Sequence, residues 1–186
     1  DVPLPMREDA LPQPVSPYGV TKLAAEQLCH LYQVNHRVPV VAVRYFTVYG
    51  PRQRPDMGFS RFFKAALQNE AVTQFGDGRQ TRDFTFVANV VDGVLKACQA
   101  PGAAGHVFNV ATGGRISLNQ LFGVMQNLAG SHITPVYGPE RVGDVKHSQA
   151  DISRAREVLR YEPAVGLEEG LAKTIAWFKT DPEAVR

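Results

Sequence analysis

Tyr18 and Lys22 stand four residues apart in the segment SPYGVTK, residues 16–22. Residues four apart on an α-helix share one face, so the phenol and the ammonium are expected side by side. An ammonium beside a phenol favours the phenolate, which is a base able to take a proton from a sugar hydroxyl near neutral pH. The same spacing occurs in ordinary helix-surface contacts, so the pair alone is a weak indication of catalysis.

A helix over residues 17–36 is the element that must position this pair. Pro17 suits a first helical turn, and the Ser16 side chain can cap it. Apolar residues recur at helical spacing through the segment: Val20, Leu23, Ala24, Leu28, Leu31 and Tyr32. A β-branched run at residues 39–46 follows and is typical of a buried parallel strand.

Helix and strand signals alternate along the rest of the chain, which predicts an α/β fold. Further helices are expected at residues 59–68, 89–99, 118–128, 152–159 and 167–179. Further strands are expected at residues 72–75, 82–87, 106–110 and 133–137. No internal repeat or clean linker divides the sequence.

Composition and charge are those of an ordinary globular protein. The chain has 186 residues, of which 44% are hydrophobic and 20% charged, with a net charge of +2. This balance gives no reason to expect nucleic acid or membrane binding, and no apolar run reaches the ~18 residues of a membrane helix. Cys29 and Cys98 are far apart and indicate reduced, buried thiols of a cytoplasmic protein. The five histidines lack metal-ligand spacing, so no metal site is expected.

A glycine-rich turn that could hold a dinucleotide pyrophosphate is missing from the sequence. Neither Gly113-Gly114 nor Gly76-Asp77-Gly78 belongs to a Gly-x-Gly-x-x-Gly string. We therefore expect either that the protein binds no dinucleotide, or that it is the latter part of a longer protein that does.

Seven segments, in order and at characteristic spacing, carry a resemblance to one family. They are SPYGVTK (16–22), VRYFTVYGPR (43–52), GDGRQTRDFTFV (76–87), FNV (108–110), RVGD (141–144), ADISRA (150–155) and LEEGL (167–171). Together they resemble the extended short-chain dehydrogenase/reductases, and within these the NAD-dependent nucleotide-sugar epimerase/dehydratase family. The resemblance spans nearly the whole chain and is closest to UDP-glucuronic acid 4-epimerases.

The resemblance implies an α/β fold made of the last Rossmann elements and an α/β substrate-binding lobe, without the N-terminal NAD-binding βαβ units. Residues 1–50 would be the Rossmann remnant with the Tyr-x-x-x-Lys helix and the strand after it. Residues 51–186 would be mainly the nucleotide-sugar lobe, with some segments returning to the Rossmann part. The family's catalytic Ser/Thr segment would precede residue 1, so this chain alone is expected to be an inactive C-terminal fragment.

The resemblance also implies a chemistry in which NAD is recycled. Tyr18, as a phenolate, would take the proton from the sugar C4 hydroxyl while hydride passes from C4 to NAD. Lys22 would hold the nicotinamide ribose, and Tyr45 would lie near the nicotinamide. In an epimerase the keto intermediate rotates and takes the hydride back on its other face.

Arginines crowd the middle of the chain, where planar guanidinium groups could bind phosphate and carboxylate. By resemblance, Arg82 and Arg141 would bind the diphosphate of a UDP-sugar. Asp144 would accept hydrogen bonds from the ribose, and Phe75 would pack on the uracil ring. The alternative is a solvated basic face with scattered ion pairs, or, for Phe75, an ordinary core position.

Substrate choice is suggested by the segment FTVYGP, which contains Thr47, and by RPDM (54–57). These resemble UDP-glucuronic acid 4-epimerases, in which a threonine and two arginines, matching Thr47, Arg54 and Arg61, lie at the uronate. A hexuronate carries a carboxylate at C6, so its site needs a fixed cation, which a neutral hexose would leave unpaired. We therefore expect a UDP-hexuronate or UDP-hexose 4-epimerase.

Several alternatives stay open on the sequence alone. The same lobe serves UDP-glucuronate decarboxylases and nucleotide-sugar 4,6-dehydratases. The chain could also be a non-catalytic substrate-binding lobe, or a separate chain could supply the Rossmann half. An uncovered apolar face on the helix at residues 17–36 would favour a homo-oligomer.

Overall fold

The computed structural model describes residues 3–140 and 143–181, which form alternating helices and strands. The α-helices are α1 (Pro17–His36), α2 (Gly58–Gln68), α3 (Val87–Gln99), α4 (Leu118–Ala129) and α5 (Leu167–Thr180). The strands are β1 (Ala42–Tyr45), β2 (Thr47–Tyr49), β3 (Thr73–Phe75), β4 (Thr81–Arg82), β5 (Phe84–Phe86), β6 (Val107–Val110), β7 (Ile116–Ser117) and β8 (Val136–Gly138).

Helix α1 forms where the sequence predicts it. The Ser16 hydroxyl accepts a hydrogen bond from the Gly19 N–H at 3.1 Å, and Arg37 ends the helix in the left-handed conformation. Glu26 of α1 forms a two-bond ion pair with Arg44 of β1, at 2.7 and 2.8 Å, which ties the helix to the strand. No residue of α1 is buried, so its apolar face stays open to solvent.

Four strand pairs make up the β-structure of the described residues. β1 lies parallel to β6, from Ala42 opposite Val107 to Tyr45 opposite Val110. β2 is parallel to β5 and β3 to β8, whereas β4 and β7 are antiparallel. Only Phe46 separates β1 from β2, so one extended segment links the β1–β6 pair to the β2–β5 pair.

Two main apolar clusters stabilise the fold. The larger one lies between β2, β5, α2, α4 and α5 and includes Phe63, Leu121 and Phe178. The smaller one packs β6 against a short π-helical turn at Ala155–Leu159 and includes Phe108. Each fully buried large side chain of this kind stabilises the folded state by ~1.5–3 kcal/mol, so these clusters are the main source of stability.

Two buried tyrosines connect distant segments through their hydroxyls. Tyr49 donates to the Leu167 carbonyl and Tyr161 to the Ala111 carbonyl, both at 3.0 Å. Burial raises the pKa of Tyr49 and of Tyr161 well above the ordinary range, so both remain neutral phenols that donate hydrogen bonds. Their role is structural.

The strand predicted at residues 82–87 is divided in the structure. β4 ends at Arg82, β5 covers Phe84–Phe86, and α3 begins at Val87. The break falls at Asp83, whose side chain is fully buried and accepts hydrogen bonds from another part of the chain. A buried carboxylate must be hydrogen-bonded, and satisfying it interrupts the regular alternation of the strand.

Three other predictions are wrong in detail. The helix expected at residues 152–159 contains the π-helical turn at Ala155–Leu159. The strand expected at 133–137 forms later, at Val136–Gly138, because that is where the chain pairs with β3. Cys98 is exposed on α3 and Cys29 is only partly buried, so the prediction of buried thiols is wrong.

Candidate functional site

Two adjoining cavities lie beside β3 and β4 and form what we call the cleft. The larger, of about 290 Å³, is bordered by β2, α2, β3, β4, β5 and the start of α4. The smaller, of about 180 Å³, is bordered by the turn at residues 76–79 and by the segment at residues 144–147. Phe75, Gln80 and Asp144 line both cavities, which makes the cleft continuous.

Arg82 is held rigidly in the wall of the cleft. Its Nη2 donates to the Asp144 carboxylate at 2.8 Å, and the side chain is only 14% exposed. Its Nη1 donates to the carbonyl oxygens of Thr81 at 2.9 Å and of Lys146 at 3.2 Å. The structure therefore places two of the predicted binding residues, Arg82 and Asp144, in direct contact.

Three further predicted residues line the same cleft. Thr47 lies at the start of β2, Phe75 at the end of β3 and Arg61 on α2. α2 buries Phe62 and Phe63 in the larger apolar cluster, and Arg61, which directly precedes them, remains exposed at the border of the cleft. A threonine, an aromatic ring and two guanidinium groups from four different elements thus border one opening.

Two predicted substrate contacts are not part of this arrangement. Arg54 does not line either cavity: its side chain is 74% exposed and binds Asp56 through two contacts, at 2.9 and 3.1 Å. Asp56 itself lines the larger cavity, so Arg54 is connected to that cavity only through its contact with Asp56. Arg141 lies outside the described residues.

The predicted catalytic pair lies on the exposed face of α1. Tyr18 is 71% exposed, and the Lys22 Nζ lies 5.4 Å from the centroid of its ring. No residue of α1 lines the cleft. Tyr45 lies at the end of β1 and is half exposed. Its partial burial raises its pKa above the ordinary value, and the nearby Cys98 raises the pKa further by a smaller amount. In the part of the chain that the structure describes, the Tyr18–Lys22 pair is therefore not part of the cleft.

Asp83 is a residue that reasoning from sequence missed. It is fully buried, and its carboxylate accepts hydrogen bonds from the Thr112 N–H and hydroxyl (3.0 and 2.6 Å), the Gly113 N–H (2.9 Å) and the Ala150 N–H (3.3 Å). Its own carbonyl accepts from the Thr47 N–H at 3.0 Å. The sequence does contain one indication of this role, which is an acidic residue placed directly between Arg82 and the apolar residues of a predicted strand.

The motifs and fold fit one known class of protein. The model of the NAD dependent epimerase/dehydratase family matches residues 2–111, more than half of the chain. The chain belongs to this family, and its α/β structure corresponds to the C-terminal part of the extended short-chain dehydrogenase/reductase fold.

Three relatives illustrate the match. The chain is 41% identical to the Bacillus subtilis protein named uncharacterized UDP-glucose epimerase YtcB, over 90% of this chain and 53% of that protein. It is 37% identical to a UDP-glucuronate 4-epimerase of Thermodesulfobacterium geofontis, over 98% of this chain and 56% of the relative. The crystal structure of UDP-glucuronic acid 4-epimerase from Bacillus cereus, in complex with UDP-glucuronic acid and NAD, superposes with a TM-score of 0.91 at 41% identity, over 95% of this chain and 56% of that one.

The chain spans a little over half the length of these relatives. Among the described residues, no helix is both long and apolar enough to cross a membrane, and no group of three or more His, Cys, Asp or Glu side chains could hold a metal ion.

The family is NAD-dependent, and the residues present fit one end of that cofactor. Tyr18 and Lys22 form an adjacent phenol and ammonium, open to solvent, which suits the diol of a nicotinamide ribose. The sequence supplies no glycine-rich turn for the pyrophosphate.

Proposed function

We propose that the chain is the nucleotide-sugar-binding part of a UDP-sugar 4-epimerase, with UDP-hexuronate as the preferred substrate class. The observation that supports this most directly is the cleft, where Thr47, Arg61, Phe75, Arg82 and Asp144 border one opening. An aromatic ring suits a pyrimidine base, a fixed guanidinium suits a diphosphate, and a carboxylate suits ribose hydroxyls. No single one of these residues would carry the assignment.

The chemistry proposed for α1 is proton transfer at the sugar C4 hydroxyl. NAD, when bound, supplies the acceptor for the C4 hydride. Tyr18 Oη takes the hydroxyl proton, and Lys22, whose Nζ lies 5.4 Å from the centroid of the Tyr18 ring, would hold the nicotinamide ribose beside it. In the reverse direction the same phenol returns the proton, which makes Tyr18 the acid for the second half of the epimerisation.

The proposed preference for a uronate rests on two arginines. Arg61 lines the larger cavity, and Arg54 is paired with Asp56, another residue of its lining, with both side chains of the pair mostly exposed. An exposed ion pair contributes little free energy, so Arg54 can exchange Asp56 for a substrate carboxylate at small cost. A neutral hexose offers neither arginine a partner, which favours UDP-glucuronate over UDP-glucose.

We propose different roles for the two parts of the chain. Residues 51–186 mainly form the nucleotide-sugar lobe, and residues 1–50 carry Tyr18, Lys22 and Tyr45. Because the sequence contains neither the glycine-rich turn nor the family's Ser/Thr segment, we expect the 186 residues alone to bind a UDP-sugar without epimerising it. We also propose that the protein is cytoplasmic and forms a homo-oligomer.

The test of substrate class is a calorimetric comparison of UDP-glucuronate with UDP-glucose. We expect UDP-glucuronate to bind the 186-residue chain about fivefold or more tightly, since one charge-assisted contact is worth that much. Arg61→Ala should remove most of the difference, whereas Arg115→Ala, which alters an exposed arginine outside the cleft, should leave it intact. Equal affinity for the two sugars would contradict the uronate assignment.

The product formed from UDP-glucuronate distinguishes a 4-epimerase from a decarboxylase or a dehydratase. A longer protein that contains this chain should convert UDP-glucuronate to its C4 epimer without release of carbon dioxide or loss of water. Formation of a pentose or of a 4-keto-6-deoxy sugar would replace the epimerase proposal with the corresponding alternative.

A further inference from the structure

The turn at residues 76–79 forms one wall of the smaller cavity of the cleft. Three hydrogen bonds connect its main chain to other segments of the protein. The Gly76 N–H donates to the Gly138 carbonyl at 3.0 Å, and the Gly78 carbonyl accepts from the Asn119 N–H at 3.0 Å. The Asp77 carbonyl accepts from Asn119 Nδ2 at 3.1 Å. Asn119, in the first turn of α4, therefore supplies two of the three contacts.

Asn119 is in turn oriented by a buried side chain of β3. Gln74 Nε2 donates to Asn119 Oδ1 at 2.8 Å, and the Tyr137 hydroxyl donates to the same oxygen at 3.3 Å. Gln74 is only 1% exposed and lies in the middle of a strand paired with β8, so its position is fixed by the sheet. Because Oδ1 is occupied as an acceptor, Nδ2 must point to the turn, which sets the orientation of the amide.

The close approach of the turn to these amides requires a glycine. Gly78 has φ of +75°, and a Cβ at this position would lie 1.9 Å from both Gln74 Nε2 and Asn119 Oδ1. The turn therefore packs directly on the amide pair, with no side chain between them. Any change in the Gln74–Asn119 pair is transmitted to the backbone that borders the cavity.

We propose that Gln74 and Asn119 are positioning residues for nucleotide binding, which hold the turn at residues 76–79 in place as a wall of the smaller cavity of the cleft. This inference rests on the proposed function, in which the cleft receives a uridine diphosphate. Asn119 lines neither cavity of the cleft, so it can act on the ligand only through the turn, whereas Gln74 also lines the larger cavity. They act by fixing the wall formed by Gly76, Asp77 and Arg79, because a displaced wall would lose its contacts with the ligand.

The experiment is a double-mutant cycle on the affinity for UDP, measured by calorimetry with the 186-residue chain. Gln74→Leu keeps the side-chain volume and removes the donor, and Asn119→Ala removes all three hydrogen bonds of the side-chain amide, including the one to the turn. Each should raise the Kd for UDP about fivefold, the effect of one lost hydrogen bond. Because both residues act on the turn through one connection, the double variant should bind no more weakly than Asn119→Ala alone.

Two more variants separate positioning from general loss of stability. Asn119→Asp keeps the acceptor for Gln74 and Tyr137 but loses the donor to Asp77, so it should also weaken UDP binding about fivefold. Gln126→Ala is the matched control: Gln126 lies on the same helix and its amide also donates to a carbonyl, that of Ile133, away from the turn. This variant should lower the melting temperature without changing the Kd.

The outcomes distinguish this inference from the proposed function. An unchanged Kd in folded Asn119→Ala, fully additive effects in the double variant, or an equal loss of affinity in Gln126→Ala would overturn the positioning role. Failure of the unaltered chain to bind UDP at all would overturn the proposed function and this inference with it.

Discussion

The guanidinium of Arg82 shows how much of the cleft depends on single side chains. Three hydrogen bonds hold it in one orientation, and Asp144 balances its charge. A planar, preorganised fork is what bidentate recognition of phosphate requires, and a lysine cannot reproduce it. If Arg82 binds a diphosphate as proposed, we expect its fixed geometry to matter more than its charge alone.

Replacing Arg82 by lysine tests this point, because the charge is kept and the fork is lost. We expect Arg82→Lys to raise the Kd for UDP about tenfold, a loss of ~1.4 kcal/mol. Arg115→Lys is the comparison, since Arg115 is exposed and lines neither cavity of the cleft. Calorimetric titration of both variants should show a change in the first only; equal losses would mean that the cleft responds to charge and not to geometry.

Asp83 makes a prediction about stability. Removing its carboxylate leaves the partly buried N–H groups of Thr112 and Gly113 and the buried N–H of Ala150 without this acceptor. We expect Asp83→Ala to lower the free energy of unfolding by about 3 kcal/mol, measured by urea denaturation. Asp92→Ala serves as the control, because Asp92 pairs with Lys96 on the surface of α3 and should change stability by less than about 1 kcal/mol. A loss of similar size in both variants would contradict the special role of Asp83.

Among the helices of the described residues, α1 packs least against the rest of the protein. It has no buried residue, and large apolar side chains on it, including Leu28 and Leu31, are about half exposed. An apolar face of this size in contact with water favours self-association. We expect the 186-residue chain to associate at micromolar concentration.

A charge on that face should reduce the association. Leu28→Glu should shift the sedimentation profile towards the monomer, whereas Gln27→Glu places the same charge on a neighbouring polar position and should shift it less. If both variants sediment like the unaltered chain, the apolar face of α1 is not what drives the association.

Elements with strong local signals could be predicted from the sequence, and elements fixed by distant partners could not. α1 begins at a Ser-Pro cap and carries a helical apolar pattern, so the sequence predicts its bounds. The break at Asp83 depends on donors that follow about thirty residues or more later. β8 begins where β3 can pair with it, which no local pattern specifies.

For the molecule as a whole, motif resemblance indicates candidate binding residues, but it does not indicate how their side chains pair. Thr47, Arg61, Phe75, Arg82 and Asp144 line one cavity, and their role in binding a substrate stays a prediction. The Arg82–Asp144 contact, the outward position of Arg54 and the bracing of the turn by Asn119 all depend on side-chain orientation in three dimensions. The Tyr18–Lys22 pair forms on its helix, and its relation to a substrate stays a prediction.

The central claim is that one cleft holds the nucleotide of a UDP-sugar, and a crystal structure of the chain with UDP bound tests it most directly. The account predicts the uracil ring packed on Phe75, a diphosphate oxygen within hydrogen-bonding distance of the Arg82 guanidinium, and the ribose beside Asp144. A UDP molecule bound at another surface, with Phe75 and Arg82 free of it, would contradict the account.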